Sequence, residues 1–162
     1  MKSVVVILFS AFVIGLFSCE RSEHHYNPRT ANEALKDLME GNARYVNNSS
    51  LHHNFIDEAH HFEKDQHPHT FVLSCIDSRV PPEIIFDQGI GNLFVARVAG
   101  NIEDDNILGS MEYAVRVKGT KLLVVLGHSN CGAVQGAIDN VDLGHLTQLT
   151  NQIKVSFSKH RT

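Results

Sequence analysis

Past an apolar opening run, the hydrophobic positions of the chain fall into short continuous blocks separated by longer stretches with helical spacing. Phe71-Val72-Leu73-Ser74, Leu93-Phe94-Val95-Ala96-Arg97-Val98 and Leu122-Leu123-Val124-Val125-Leu126 are blocks of strand length. The last is continuously apolar, as expected of a strand covered on both faces of a parallel sheet. Pro81-Pro82 forbids extension of the first strand and predicts a turn of helix over Glu83 to Phe86, with Pro82 near its start. Gly89 and Gly91 punctuate the loop before the second strand. A helix is expected from about Asn106 to Val117, with Leu108, Met111 and Val115 on one face and Gly119 past its end. Gly132-Ala133-Val134 opens another, and Leu143, Leu146 and Leu149 predict a last one. Upstream, Thr30 and Glu33 make a capping-box pair ahead of Leu35, Leu38 and Met39, while Gly41 predicts a stop or local break. Strands alternating with helices specify an α/β fold, a mainly parallel, doubly wound sheet flanked by helices, with sites formed beyond the strand C-termini.

The opening run bears on where the chain works. Lys2 followed by the apolar residues Val4 to Phe17 reads as a secretory signal, too short for a comfortable membrane span. It ends at Leu16-Phe17-Ser18-Cys19, which resembles the lipobox of bacterial lipoproteins, whose cysteine is lipidated and becomes the new N-terminus. Residues 1–19 are therefore expected to be a signal peptide, 20–29 a polar tether and 30–162 a single domain. The expected product is exported, either a lipoprotein anchored to the membrane through Cys19 or a periplasmic protein. A net charge of -4 with no basic block and no interleaved aromatics excludes nucleic acid as a partner class. His52, His53, His60, His61, His67 and His69 crowd one polar segment. They sit in adjacent pairs rather than four apart, so they read as solvated surface and not as a convergent metal site.

With Cys19 assigned to lipid, Cys75 and Cys131 remain as a pair. A disulfide is the plain reading for an exported protein, but their neighbours favour a metal. Cys75-Ile76-Asp77-Ser78-Arg79 and His128-Ser129-Asn130-Cys131 each follow an apolar strand, which brings both to the same end of the sheet. Two thiolates and an imidazole suit zinc and leave a fourth position for water, the arrangement of a catalytic site. Zinc lowers the pKa of that water toward about 7, which makes a hydroxide available near neutral pH. Asp77 has two available roles: orienting that hydroxide, or closing the site as fourth ligand. A guanidinium fork from Arg79 would hold it off the metal. The alternative is a surface ion pair that caps the following turn. Gly132, at a helix start, either offers free N–H groups to an anion such as bicarbonate or permits close packing.

These residues resemble the β-class carbonic anhydrases. The matching text is Cys75-Ile76-Asp77-Ser78-Arg79-Val80-Pro81, Leu93 to Asn101, Ser110-Met111-Glu112-Tyr113-Ala114-Val115 and Gly127 to Gly132, and the likeness runs over about Ala31 to Ile153. The resemblance implies zinc on Cys75, His128 and Cys131, and a catalytic dyad of Asp77 and Arg79. It implies Gln66 as donor to bound substrate, Phe94 and Tyr113 on the apolar side of the pocket, and Ala99 where some members carry valine. It also implies reversible hydration of carbon dioxide to bicarbonate and a proton by zinc-bound hydroxide. The implied assembly is a homodimer or a multiple of dimers with the pocket at the interface, the helix of Leu35, Leu38 and Met39 wrapping onto the partner.

The chain departs from the family's pattern in two places. Val98 replaces a common asparagine, and family members continue for some tens of residues past Ile153 with a further strand and helices, so the domain is expected to be incomplete at its C-terminus. After Lys154 no apolar period matches that missing part. Three other readings remain: a carbonyl sulfide or carbon disulfide hydrolase on the same site, a truncated zinc-binding protein without turnover, and a redox protein, against which the lack of Cys-x-x-Cys argues.

Overall fold

The computed structural model describes residues 27–159, the side chains of Ser158 and Lys159 excepted. The expected signal segment, Cys19 and most of the tether lie outside the described residues. Among those described, no helix is long and apolar enough to cross a membrane.

The elements follow the order α1 (Ala31–Val46), α2 (Phe55–His61), β1 (Thr70–Ser74), α3 (Pro82–Ile85), β2 (Leu93–Arg97), a 3-10 turn (Ala99–Asn101), α4 (Asp105–Arg116), β3 (Leu122–Leu126), α5 (Gly132–Ile138) and α6 (Gly144–Lys159). The three strands form a parallel sheet in the order β2-β1-β3. From β1 the chain goes out to β2, then crosses back over β1 to lay down β3. The gap between β1 and β3 is thus a topological switch point, where a parallel sheet opens a crevice at its C-terminal edge.

The middle strand is buried throughout. Phe71 and Leu73 face α4 and pack with Ala114, Phe94, Ala96, Ile107 and Met111. Thr70, Val72 and Ser74 are fully buried on the opposite face. The α4 face is therefore Ile107, Met111 and Ala114, an i, i+4, i+7 set. Leu108 and Val115, expected on that face, are 45% and 40% exposed and lie to its sides. The expectation of a strand covered on both faces holds for β1 and fails for β3. Leu123 and Val125 stand on the same face as Phe71 and Leu73 but are 46% and 63% exposed; the α4 residues on that face, Ile107, Met111 and Ala114, pack with β1 and β2 instead.

At the start of α1, the Glu33 N–H donates to Thr30 Oγ1 and the Thr30 N–H to Glu33 Oε2, which closes the capping box. Gly41 neither stops nor breaks this helix. A Cβ there would collide with the Phe86 carbonyl oxygen, so Gly41 is where α1 and the end of α3 come into backbone contact. Asn42 Nδ2 beside it donates to the Ile85 carbonyl, and Arg44 pairs with the buried Asp87. At the other end of the chain α6 continues through the stretch after Lys154, anchored by Thr150 and Ile153 rather than by the leucine series.

The histidine segment is not uniformly solvated. His69 is buried, with Nδ1 on Thr70 Oγ1 at 2.9 Å and Nε2 toward Gln88 Oε1 at 3.2 Å and Asp37 at 3.5 Å. His52 is half-buried against Glu58. Burial pushes the His69 pKa below its ordinary value, although Asp37 and Gln88 favour the charged form.

Two stability predictions follow from this packing. Gly41→Ala should cost about 1–3 kcal/mol in urea unfolding, by forcing α1 off α3. For His69, the unfolded chain takes up a proton near pH 6.5 that the folded chain refuses, so stability falls as pH drops below that value. His69→Gln should destabilise at pH 7.5, and its deficit relative to wild type should shrink at pH 5.5.

Candidate metal centre

Cys75 is the first residue past β1, and the 127–131 turn is the continuation of β3. The ladder ends by pairing Ser74 with Leu126, so the parallel register sets the two turns side by side. Asn130 takes a left-handed conformation at φ 55° that asparagine tolerates. This reverses the chain within three residues, bringing His128 and Cys131 to the same side, with Cys131 as N-cap of α5.

Cys75 and Cys131 are both buried and free, with their Sγ atoms 3.9 Å apart. That is far beyond a disulfide bond and close to the roughly 3.8 Å separation of two sulfurs on one tetrahedral zinc. One ligand atom each of Cys75, His128 and Cys131 lies within 4.8 Å of the others. His128 Nδ1 is 3.0 Å from the Ser129 carbonyl, which fixes it as the protonated nitrogen. Nε2 is left buried without a hydrogen-bond partner. A buried imidazole lone pair facing two thiols is the condition a bound cation relieves. By spacing, donor type and this orphaned nitrogen, the three residues fit a soft divalent metal of the zinc kind.

Burial alone would push the Cys75 thiol up. The Gly100 backbone N–H, the His128 ring, the Asp77 backbone and Cys131 outweigh it and bring it down to about 7. Gly100 makes that contact from the 3-10 turn at φ 73°, where a Cβ would also press on Ile153 of α6. Opposing pulls act on His128 as well: the Cys75 sulfur beside the ring, although not at hydrogen-bonding distance from it, raises its pKa more than burial lowers it.

Asp77 lies beside this cluster. Arg79 donates Nε to Oδ1 at 2.9 Å and a terminal nitrogen to Oδ2 at 2.8 Å, and its backbone N–H adds a third bond to Oδ1 at 3.0 Å. These bonds, the side-chain fork first, hold the Asp77 carboxyl well below the usual carboxylate range. Its Oδ2 is 3.9 Å from His128 Nε2, so the carboxylate faces the cluster while Arg79 occupies its other side. Arg79 is largely exposed and Asp77 is not.

Arg97, to which the sequence pattern assigns no role, braces the Cys75–Asp77 turn. From the last position of β2 it donates Nε to the Cys75 carbonyl at 2.9 Å and a terminal nitrogen to the Asp77 carbonyl at 2.6 Å. One guanidinium thereby fixes the backbone of a candidate ligand and of its neighbouring carboxylate. The available signal was an arginine closing an otherwise apolar strand.

The expected pocket residues divide into two groups. Ala99 and Gly132 lie at the cluster's end of the sheet. A Cβ on Gly132 would meet nothing within 4 Å, so close packing does not explain that glycine. Gln66, Phe94 and Tyr113 are elsewhere. Gln66 precedes β1 and Cys75 follows it, and the five-residue strand between them spans about 16 Å. Phe94 pairs with Phe71 near the opposite end of the ladder, with the Tyr113 ring edge-on to it at 6.2 Å. Those two rings line an open hollow of about 590 Å³ with Phe71 and Ala96 on one side and Asp105, Asn106 and Ser110 of α4 on the other.

The family model described as carbonic anhydrase matches residues 70–162. A carbonic anhydrase of Mycolicibacterium smegmatis is 46% identical over 121 residues, covering 74% of this chain and 57% of its own. Carbonic anhydrase 2 of Mycobacterium tuberculosis is 46% identical over 114 residues, 70% of this chain and 55% of its own. The chain spans about half the length of the curated relatives it matches. Among solved structures, the β-carbonic anhydrase of Aspergillus fumigatus superposes with a TM-score of 0.60 at 27% identity, over 80% of this chain and 61% of its own.

Loss of either bond from Arg97 should loosen the cluster rather than unfold the sheet. Arg97→Lys is expected to weaken metal affinity roughly 10- to 100-fold, read by competition with a chromophoric chelator. Cys75→Ser should abolish stoichiometric uptake in the same assay.

Proposed function

The chain belongs to the carbonic anhydrase family, in its β class, and on that premise we propose that it hydrates carbon dioxide reversibly to bicarbonate and a proton, with zinc held by Cys75, His128 and Cys131. The observation that carries this reading is the buried, partnerless Nε2 of His128 between two free thiols, beside a carboxylate that an arginine holds. Zinc bound there would act as a Lewis acid and lower the pKa of water toward about 7.

The chain's own residues supply the rest. Arg79 keeps Asp77 ionised and turned so that Oδ2 faces the cluster. A carboxylate this acidic is a poor base, so Asp77 orients the reacting water by accepting its hydrogen bond and does not store the product proton. Arg97 holds the Cys75–Asp77 backbone, so the carboxylate and the sulfur keep their separation as substrate enters.

A homodimer, or a multiple of dimers, completes the pocket in this reading. Gln66, Phe94 and Tyr113 are too far from their own cluster to line it, and a second copy could receive them. Leu35 and Met39 on α1 support this, because they are exposed while Leu38 between them is buried in its own chain. A solved relative from Sordaria macrospora is described as a tetrameric β-carbonic anhydrase; it is 27% identical, with a TM-score of 0.58, over 78% of this chain and 62% of its own. Export, with lipid attachment at Cys19, remains part of the proposal on the strength of the residue 1–19 pattern.

Stopped-flow hydration of carbon dioxide by the zinc-loaded chain tests the reading. Asp77→Asn should retain zinc and lose roughly 10- to 100-fold in kcat/KM. A soluble, fully zinc-loaded wild type without turnover would overturn the activity.

A further inference from the structure

Gln66 lies in an exposed stretch between α2 and β1, and two bonds from the linker between α4 and β3 bracket it. On one side, Lys118 Nζ donates to Asp65 Oδ1 at 2.7 Å, and the same oxygen accepts the Gln66 backbone N–H at 2.8 Å. On the other, Thr120 Oγ1 donates to the Pro68 carbonyl at 2.9 Å, followed by Lys121 N–H to the His69 carbonyl at 2.9 Å. His67 Nε2 lies 3.4 Å from the second oxygen of Asp65. The linker is itself tied to the aromatic pair, since the Lys118 N–H bonds the Tyr113 carbonyl and the Tyr113 ring packs against Phe94. An unbroken path of direct contacts thus runs from Phe94 through Tyr113, Lys118 and Asp65 to the backbone of Gln66.

Two observations separate this pair from an ordinary surface contact. The Lys118 side chain is only 22% exposed, although that of Asp65 is 55% exposed, and the pair joins positions 53 residues apart. An exposed ion pair adds little to stability, whereas one that fixes the direction of a loop can matter to what the loop carries. We infer that the Asp65–Lys118 pair is a positioning device that holds Gln66 in register with Tyr113 and Phe94, so that the three present one substrate-contacting surface. The inference rests on the anhydrase reading above, and specifically on Gln66 contacting substrate. Asp65 and Lys118 act through Gln66 and touch no reacting atom.

The test is a double-mutant cycle on the zinc-loaded full chain, with Asp65→Asn and Lys118→Met each made alone and in a Gln66→Ala background. Each single variant is expected to lower kcat/KM for hydration roughly two- to tenfold, chiefly through KM. Zinc content and thermal midpoint should be unchanged, and the Gln66 amide should exchange faster with solvent. In the Gln66→Ala background neither substitution should lower the rate further. Equal losses in both backgrounds, no loss in either, or unchanged Gln66 amide exchange would overturn the positioning role. A zinc-loaded wild type that does not hydrate carbon dioxide is a separate result: it fails the anhydrase reading at the first measurement, and the positioning role with it.

Discussion

Everything at the candidate site depends on one constraint, the parallel pairing of β1 between β2 and β3. That register sets Ser74 against Leu126 on one side and Arg97 on the other, so whatever follows β1 and β3 meets at a single edge. The strand that enforces it is buried on both faces, and a one-residue slip would turn Phe71 and Leu73 out of their contact with α4. Cys75 and Cys131, 56 residues apart, come within 3.9 Å because of this pairing and not through any local motif. Hydrophobic burial in the sheet is therefore what assembles the polar site.

Around that framework two arginines have different duties. Arg97, part-buried, bonds two backbone carbonyls and fixes the frame. Arg79, exposed, bonds a carboxylate and sets which way it faces. Lysine could supply the charge at either place but not the planar fork that makes two directed bonds at once. The His128 ring is held through the Ser129 carbonyl in the orientation that points Nε2 inward. The three candidate metal ligands come together within one chain. Phe94 and Tyr113, with Gln66, lie on another part of the chain.

Much of this was legible in the sequence, because the responsible interactions are local. The capping box of Thr30 and Glu33, the proline-led turn at Pro82 and the three apolar runs all act within a few residues, and each appears where the pattern put it. The cysteine and histidine turns were legible because strand ends in a parallel sheet converge. What escaped was decided by distant neighbours. Gly41 reads as a helix stop until the Phe86 carbonyl is seen against it. His69 looks like its solvated neighbours until Thr70, Gln88 and Asp37 enclose it. The exposure of Leu123 and Val125 depends on where α4 lies, and Arg97 shows its role only once the backbone carbonyls of Cys75 and Asp77 are in place.

In the reading proposed above, Cys75, Cys131 and His128 bind one metal together. X-ray absorption at the zinc edge of the loaded chain addresses it directly. Two sulfur scatterers are expected at about 2.3 Å, with lighter atoms, one of them an imidazole nitrogen, at about 2.0–2.1 Å. A shell of four sulfurs, or one with no sulfur, would contradict it, because neither can be built from the residues that β1 and β3 bring together.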